Sequence, residues 1–231
     1  MQTIFEKESR ILAQKAGLKI TSLISAKKNL PVLLLVSGGS AFQILDTIDS
    51  SILGKRITIG VLDERYSLDP EINNFLHFTK TKFYTHAKKN GCSFIDTHVH
   101  NGETLEAVAN RFDNELKKWK TINPKGIILI TQGVGPDGHT AGIFPGIIFE
   151  NTNKWVIGYD IGKRNQYPLR ITTTPYFLTD MVDYSIVFVT GENKKKVLQK
   201  VLDPESIAIE VPAAIIQKMK NVEVFTDIRV T

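Results

Sequence analysis

Residues 131–146 read TQGVGPDGHTAGIFPG and carry the chain's most specific chemical signal. A lone histidine is more often structural than catalytic. His139 differs in its setting, because Asp137, Gly138 and Thr140 flank it just beyond an apolar run. Small neighbours leave an imidazole accessible, and a nearby carboxylate fixes its tautomer and raises its basicity. An accessible ring of that kind can take a proton from water at neutral pH.

Three further patches supply groups suited to an anion. The turn Ser37-Gly38-Gly39-Ser40 follows the apolar run 32–36. Glycines let the backbone approach an anion, and the N-terminus of a following helix offers free N–H groups. The plain alternative is a tight turn with a serine N-cap. The turn is neither GxGxxG nor GxxxxGK[ST], which weakens dinucleotide and nucleotide readings. Asp63-Glu64-Arg65 ends a second apolar run, a poor place for charge unless a cleft opens there. Arg65 can hold a phosphate or carboxylate bidentately, or form a structural ion pair with a nearby acid. Asn73 and Asn74 suit a helix cap. Arg170 in LRITTT and Lys194 after VFVTGEN each resemble surface charge, but with the serine-glycine turn they can complete a phosphate site.

The elements that must position these groups follow from periodicity. Continuous apolar runs at 32–36, 57–62 and 127–130 read as strands buried on both faces of a parallel sheet. Further strands are expected at 93–95, 155–158, 169–172, 185–189 and 222–225. Helical spacing covers 3–28, 42–53, 74–84, 103–119, 193–201 and 213–219. Strands alternating with helices predict a three-layer, Rossmann-like α/β fold, with a mostly parallel sheet and helices on both faces. Ligands of such sheets bind beyond the carboxyl ends of the strands. The Ser37, Asp63 and Gly133 turns should therefore meet at one sheet edge.

With 231 residues and 42% hydrophobic content, one domain spanning 1–231 can bury a sizeable core. The net charge of +5 suits an anionic ligand. The basic residues are scattered, and in the one dense run Lys195 and Lys196 read as a solvated helix face. No stripe of basic and aromatic residues points to nucleic acid. Cys92 is the only cysteine, which excludes an intrachain disulfide and a thiolate metal site. It reads as a small packed residue. No apolar run is long enough to span a bilayer, and the N-terminus lacks a signal-peptide core, so a cytoplasmic location is expected.

The SGGS turn, DER followed by NNF, GVGPDGHTAGIFPG, Arg170, TGENKKKVL and the closing PAAIIQKMKNVEVFTD occur in the order found in the 6-phosphogluconolactonases. The chain resembles that family, which shares a fold with the glucosamine-6-phosphate deaminases. The resemblance implies hydrolysis of 6-phosphogluconolactone. It implies a substrate phosphate held by Ser37, Gly38, Gly39 and Ser40 with Arg170 and Lys194. It also implies His139 and Asp63 near the reacting carbonyl, with Arg65 beside them. His139 is then the general base and the later proton donor to the ring oxygen. Arg65 either stabilises the oxyanion or orients the phosphate, and Asp63, with Asp137 as the alternate, orients the histidine or the water. No metal and no cofactor are expected, and the expected form is a monomer or weak homo-oligomer. The family usually has Thr-Pro where Ala41-Phe42 stand, and serine where Gly142 and Asn73 stand.

Three rivals fit less well. The deaminase chemistry calls for a second acid shortly after the histidine, and Thr-Ala-Gly-Ile-Phe-Pro holds none; its usual DEY is also DER here. A non-catalytic sugar-phosphate sensor would not need His139. A nicotinamide-dependent dehydrogenase would want GxGxxG after the first strand.

Overall fold

The computed structural model describes residues 1–149 and 153–230. In chain order the strands are β1 (Gln2–Phe5), β2 (Val32–Val36), β3 (Ile57–Val61), β4 (Asp63–Arg65), β5 (Ser93–Phe94), β6 (Ile127–Gly133), β7 (Val156–Asp160), β8 (Leu169–Thr173), β9 (Tyr184–Val189) and β10 (Asn221–Thr226). The α-helices are α1 (Ser9–Ala26), α2 (Asn74–Thr79), α3 (Lys82–Lys89), α4 (Leu105–Ile122) and α5 (Lys195–Leu202).

Seven strands form a parallel sheet in the order β1-β10-β9-β6-β2-β3-β5. Side chains alternate across a strand, so a central strand feeds two cores. In β2, Val32, Leu34 and Val36 pack with Leu12, Ala16 and Ile20 of α1, whereas Leu33 and Leu35 pack with Val108, Phe112 and Leu116 of α4. The sheet is thus covered on both faces, as its apolar runs require. Among the described residues no helix is long and apolar enough to cross a membrane.

The structure corrects several expected elements. The stretch 155–172 does not join the parallel sheet. β4, β8 and β7 form a separate antiparallel sheet of three strands. The link between β7 and β8 runs only from Ile161 to Pro168. A parallel crossover needs a dozen or more residues, so a link this short forces antiparallel pairing. Asp63-Glu64-Arg65 is accordingly a strand of the second sheet, not a terminal turn. The N-terminal helix starts only at Ser9, because Gln2–Phe5 pairs with β10 at the sheet edge. Stretches 42–53 and 213–219 are short 3₁₀ helices (Gly39–Thr47, Ser50–Ile52 and Pro212–Lys218), which apolar spacing alone does not separate from α at this length. The helix expected over 74–84 breaks at Thr81, whose hydroxyl caps α3 by accepting from the Tyr84 N–H at 3.1 Å.

Candidate active site

The Ser37–Ser40 turn, β4, the loop after β6, the loop before β8 and Lys194 surround one cavity of about 450 Å³. The candidate catalytic and phosphate-binding residues all line it except Asp137, which stands behind His139. The size falls in the ordinary range for small-molecule sites.

The turn is built for close approach. Gly39 has φ +65, a left-handed conformation that suits glycine. A Cβ at Gly38 would lie 2.6 Å from Oδ1 of Asn74, so the missing side chain lets Asn74 close against the turn. Asn74 is tied in place by donating from Nδ2 to the Asp63 carbonyl at 3.0 Å. The Ser37 N–H donates to Oγ1 of Thr131 at 3.0 Å, which locks the turn to the neighbouring strand β6.

The second sheet places the charges. Its register sets Asp63 opposite Thr172 and Arg65 opposite Arg170. Alternation puts these four side chains on one face and Glu64 on the other, and Asp63, Arg65 and Arg170 line the cavity. Like charges directly opposite one another are destabilising in a sheet. Neither arginine makes an ion pair within 4 Å among the described residues. Instead each lies over a ring, Arg65 5.2 Å from the Tyr167 centroid and Arg170 5.1 Å from that of Phe144. Nη2 of Arg170 donates to Oδ1 of Asn165 at 2.9 Å. The buried Nε groups of both arginines have no hydrogen-bond partner among the described residues. Unsatisfied buried donors are costly. The structural ion pair entertained for Arg65 is not formed.

His139 sits where the loop after β6 folds back on itself. The Gly135 N–H donates to the His139 carbonyl at 2.8 Å, and the Gly138 N–H to the Gly135 carbonyl at 3.0 Å. A Cβ at Gly135 would lie 2.1 Å from Nδ1 and Cε1 of His139, so only glycine leaves room for the ring there. Nδ1 is 2.5 Å from Oδ1 of Asp137. The ring stacks on Phe144 with centroids 4.5 Å apart and planes inclined by 19°. Phe144 thus contacts both the imidazole and the Arg170 guanidinium. The Asp137 contact occupies Nδ1 and leaves Nε2 for the cavity side. Asp137, the alternate orienter in the sequence, is the residue that touches the ring.

Asp63 is buried, and burial pushes its carboxyl above the usual range, opposed by the charges of Arg170, His139 and Arg65. At Asp137 burial also raises the pKa, but the hydrogen bond and charge of His139 hold the net value below normal. Burial lowers the Lys194 ammonium, with Asp227 opposing. At Gly142, φ is +75 and a Cβ would lie 3.0 Å from Cβ and 3.2 Å from Oδ2 of Asp63, so this glycine gives the buried carboxyl its space. Asn73 is the helix cap expected of it, its Oδ1 accepting from the Leu76 N–H at 2.9 Å.

Sequence reasoning missed Asn165, Tyr167, Phe144 and Thr131. Asn165 and Tyr167 lie in an aperiodic loop whose only signal is its place just before Arg170. Glu64 was also passed over. It is fully buried and accepts from the N–H groups of Arg65, Asn74 and Phe75 at 2.7, 2.6 and 2.9 Å, and from Oγ1 of Thr97 at 3.1 Å. It joins β4 to the N-terminus of α2.

Residues 7–225 match the family model described as glucosamine-6-phosphate isomerases/6-phosphogluconolactonase. A 6-phosphogluconolactonase of Xylella fastidiosa is 28% identical over 197 residues, covering 78% of this chain and 79% of its own. Among solved structures, the 6-phosphogluconolactonase of Trypanosoma brucei is similar with a TM-score of 0.78 and 19% identity, over 97% of this chain and 95% of that one. A monomeric glucosamine-6-phosphate deaminase reaches 0.79 at 17% identity, over 98% and 97%. At such identities the two structures speak for the shared fold alone.

Proposed function

The chain belongs to the glucosamine-6-phosphate isomerase/6-phosphogluconolactonase family, and from that premise we propose that it hydrolyses 6-phospho-D-glucono-1,5-lactone to 6-phosphogluconate, acting as one domain. The observation that carries this reading is the cavity's pairing of a carboxylate-backed imidazole with two cross-strand arginines that form no ion pair within 4 Å among the described residues. The imidazole suits attack on a carbonyl, and the arginines suit an anionic substrate.

In this reading Arg170, Lys194 and the Ser37–Ser40 turn hold the phosphate. Water attacks the lactone carbonyl carbon as Nε2 of His139 takes its proton. Asp137 keeps the Nδ1 proton in place and stabilises the imidazolium that forms. Arg65 faces either the carbonyl oxygen as it gains charge or the phosphate. The tetrahedral intermediate collapses with cleavage of the bond to the ring oxygen, which receives the proton from His139. A hydroxyl and a carboxylic acid result, and the acid releases its proton to solvent as a carboxylate. Preorganised cationic donors at the developing oxyanion act strongly in a site shielded from water. The sequence after His139 lacks the second acid that would favour amino-sugar deamination.

The test is a direct assay on freshly prepared 6-phosphogluconolactone, corrected for its spontaneous opening. Saturable hydrolysis well above background is expected, with no ammonia released from glucosamine 6-phosphate. Deamination without lactonase activity would overturn the reading.

A further inference from the structure

On the segment leading from β5 to α4, Asp96, His98 and His100 alternate, and one donor atom of each lies within 4.8 Å of the other two. None of the three lines the cavity described above. We propose that this triad is a separate binding site for a divalent transition-metal ion of the zinc or nickel type.

The donor set decides the class of ion. Two imidazoles and one carboxylate suit zinc, nickel and copper, whereas magnesium and calcium prefer all-oxygen shells. The chain bends at His98, where Oδ1 of Asp96 also accepts from the His98 N–H at 2.9 Å, and this turn gathers the three side chains. Nδ1 of His98 is 2.5 Å from Oδ1 of Asp96, and the His98 and His100 rings are 4.1 Å apart at their centroids. Donors around a tetrahedral zinc stand about 3.3 Å apart, given bonds of roughly 2.0–2.1 Å. The metal therefore replaces the proton between Asp96 and His98 and spreads that pair by under 1 Å, while His100 closes inward.

The backbone beneath the triad is fixed by residues that do not themselves ligate. Arg111 donates to the carbonyls of Asp96 and His98 at 2.5 and 2.7 Å. Glu103 accepts from the His100 N–H at 2.9 Å and pairs with Arg111 at 2.8 Å, which offsets the charge of the Arg111 guanidinium beside the site. Between the first two ligands, the buried Thr97 donates to Glu64. One clasp thus holds all three ligand positions, while the side chains of Asp96 and His98 remain 40% and 29% exposed and His100 is open to solvent. An ion can reach the site without any unfolding.

The experiment is titration of the full chain, free of any added histidine tag, with zinc or nickel chloride, followed by calorimetry and by equilibrium dialysis with metal analysis. One equivalent should bind in the low-micromolar range. His100→Ala, at an exposed position that does not endanger folding, and His98→Ala should each weaken binding by at least the roughly 10–100-fold that even outer-shell partners of a metal control. His86→Ala, exposed on α3, should leave it unchanged. Binding only at millimolar metal, or equal losses from His86→Ala and His100→Ala, would overturn the proposal. Zinc should also raise the melting temperature of the parent chain and not that of His100→Ala, and equal shifts in both count against the site.

Discussion

Arg65 and Arg170 face each other directly across the antiparallel pair of β4 and β8, and among the described residues no acid lies within ion-pair distance of either. Two guanidiniums at paired register positions repel, and among the described residues their buried Nε groups lack partners. Such a pair at a cavity wall suits the anionic substrate proposed above.

Arg170→Ala and Lys194→Ala should therefore raise KM far more than Lys196→Ala. A lost charge-assisted contact costs about 1.5–3 kcal/mol, roughly 10- to 150-fold in binding, whereas a solvated lysine costs little. Inorganic phosphate should compete with substrate. Steady-state kinetics on the three variants decide this, and equal effects from Lys194 and Lys196 would remove the site-specific role.

His139→Asn should lower kcat by roughly 10²–10⁴-fold with little change in substrate binding. Circular dichroism on the same sample checks that the fold persists. Exhaustive chelation should leave turnover intact, since no step of the proposed reaction runs through a metal. Near-normal turnover in folded His139→Asn would sink the mechanism.

Gly135→Ala tests the positioning of the ring. The added Cβ would stand 2.1 Å from two ring atoms of His139 and 2.7 Å from Oδ1 of Asp137, so the imidazole must move. A displacement of about 1 Å at a reacting group can cost on the order of 10²-fold in rate. The expected result is a fall in kcat of that order while phosphate still competes. Unchanged kcat would mean that the ring's position does not matter to the chemistry.

Glu64 gives the pH prediction. Burial pushes its pKa from an ordinary 4.5 up to about 8, against the amide N–H groups of Asn74, Phe75 and Arg65. Between those values the folded protein holds a proton that the unfolded chain has lost. Glu64's contribution to stability is thus full below about 4.5 and declines as pH rises toward 8. Denaturant melts from pH 5 to 8 on parent and Glu64→Gln should show that this slope flattens in the variant. An identical slope in both would assign the pH dependence elsewhere.

Local sequence determined much of this protein. The apolar runs 32–36, 57–61 and 127–130 must be buried on both faces, so a parallel sheet clad by helices follows from them alone. The glycines around His139 and in the Ser37–Ser40 turn announce backbone conformations and close approaches that other residues resist, which is why these motifs stood out before any fold was known. Only the tertiary structure decided which groups share a face. The pairing of β4 with β8 brings Arg65 against Arg170 across more than a hundred residues of chain, and no local periodicity encodes that register. The packing likewise carried Asn165 and Tyr167 over the arginines, whereas the contact of Asp137 with the imidazole is made within one loop, two residues apart. The physical reason is that periodicity reports burial of one element at a time, whereas a site is made by contacts between elements, fixed only when the whole core packs.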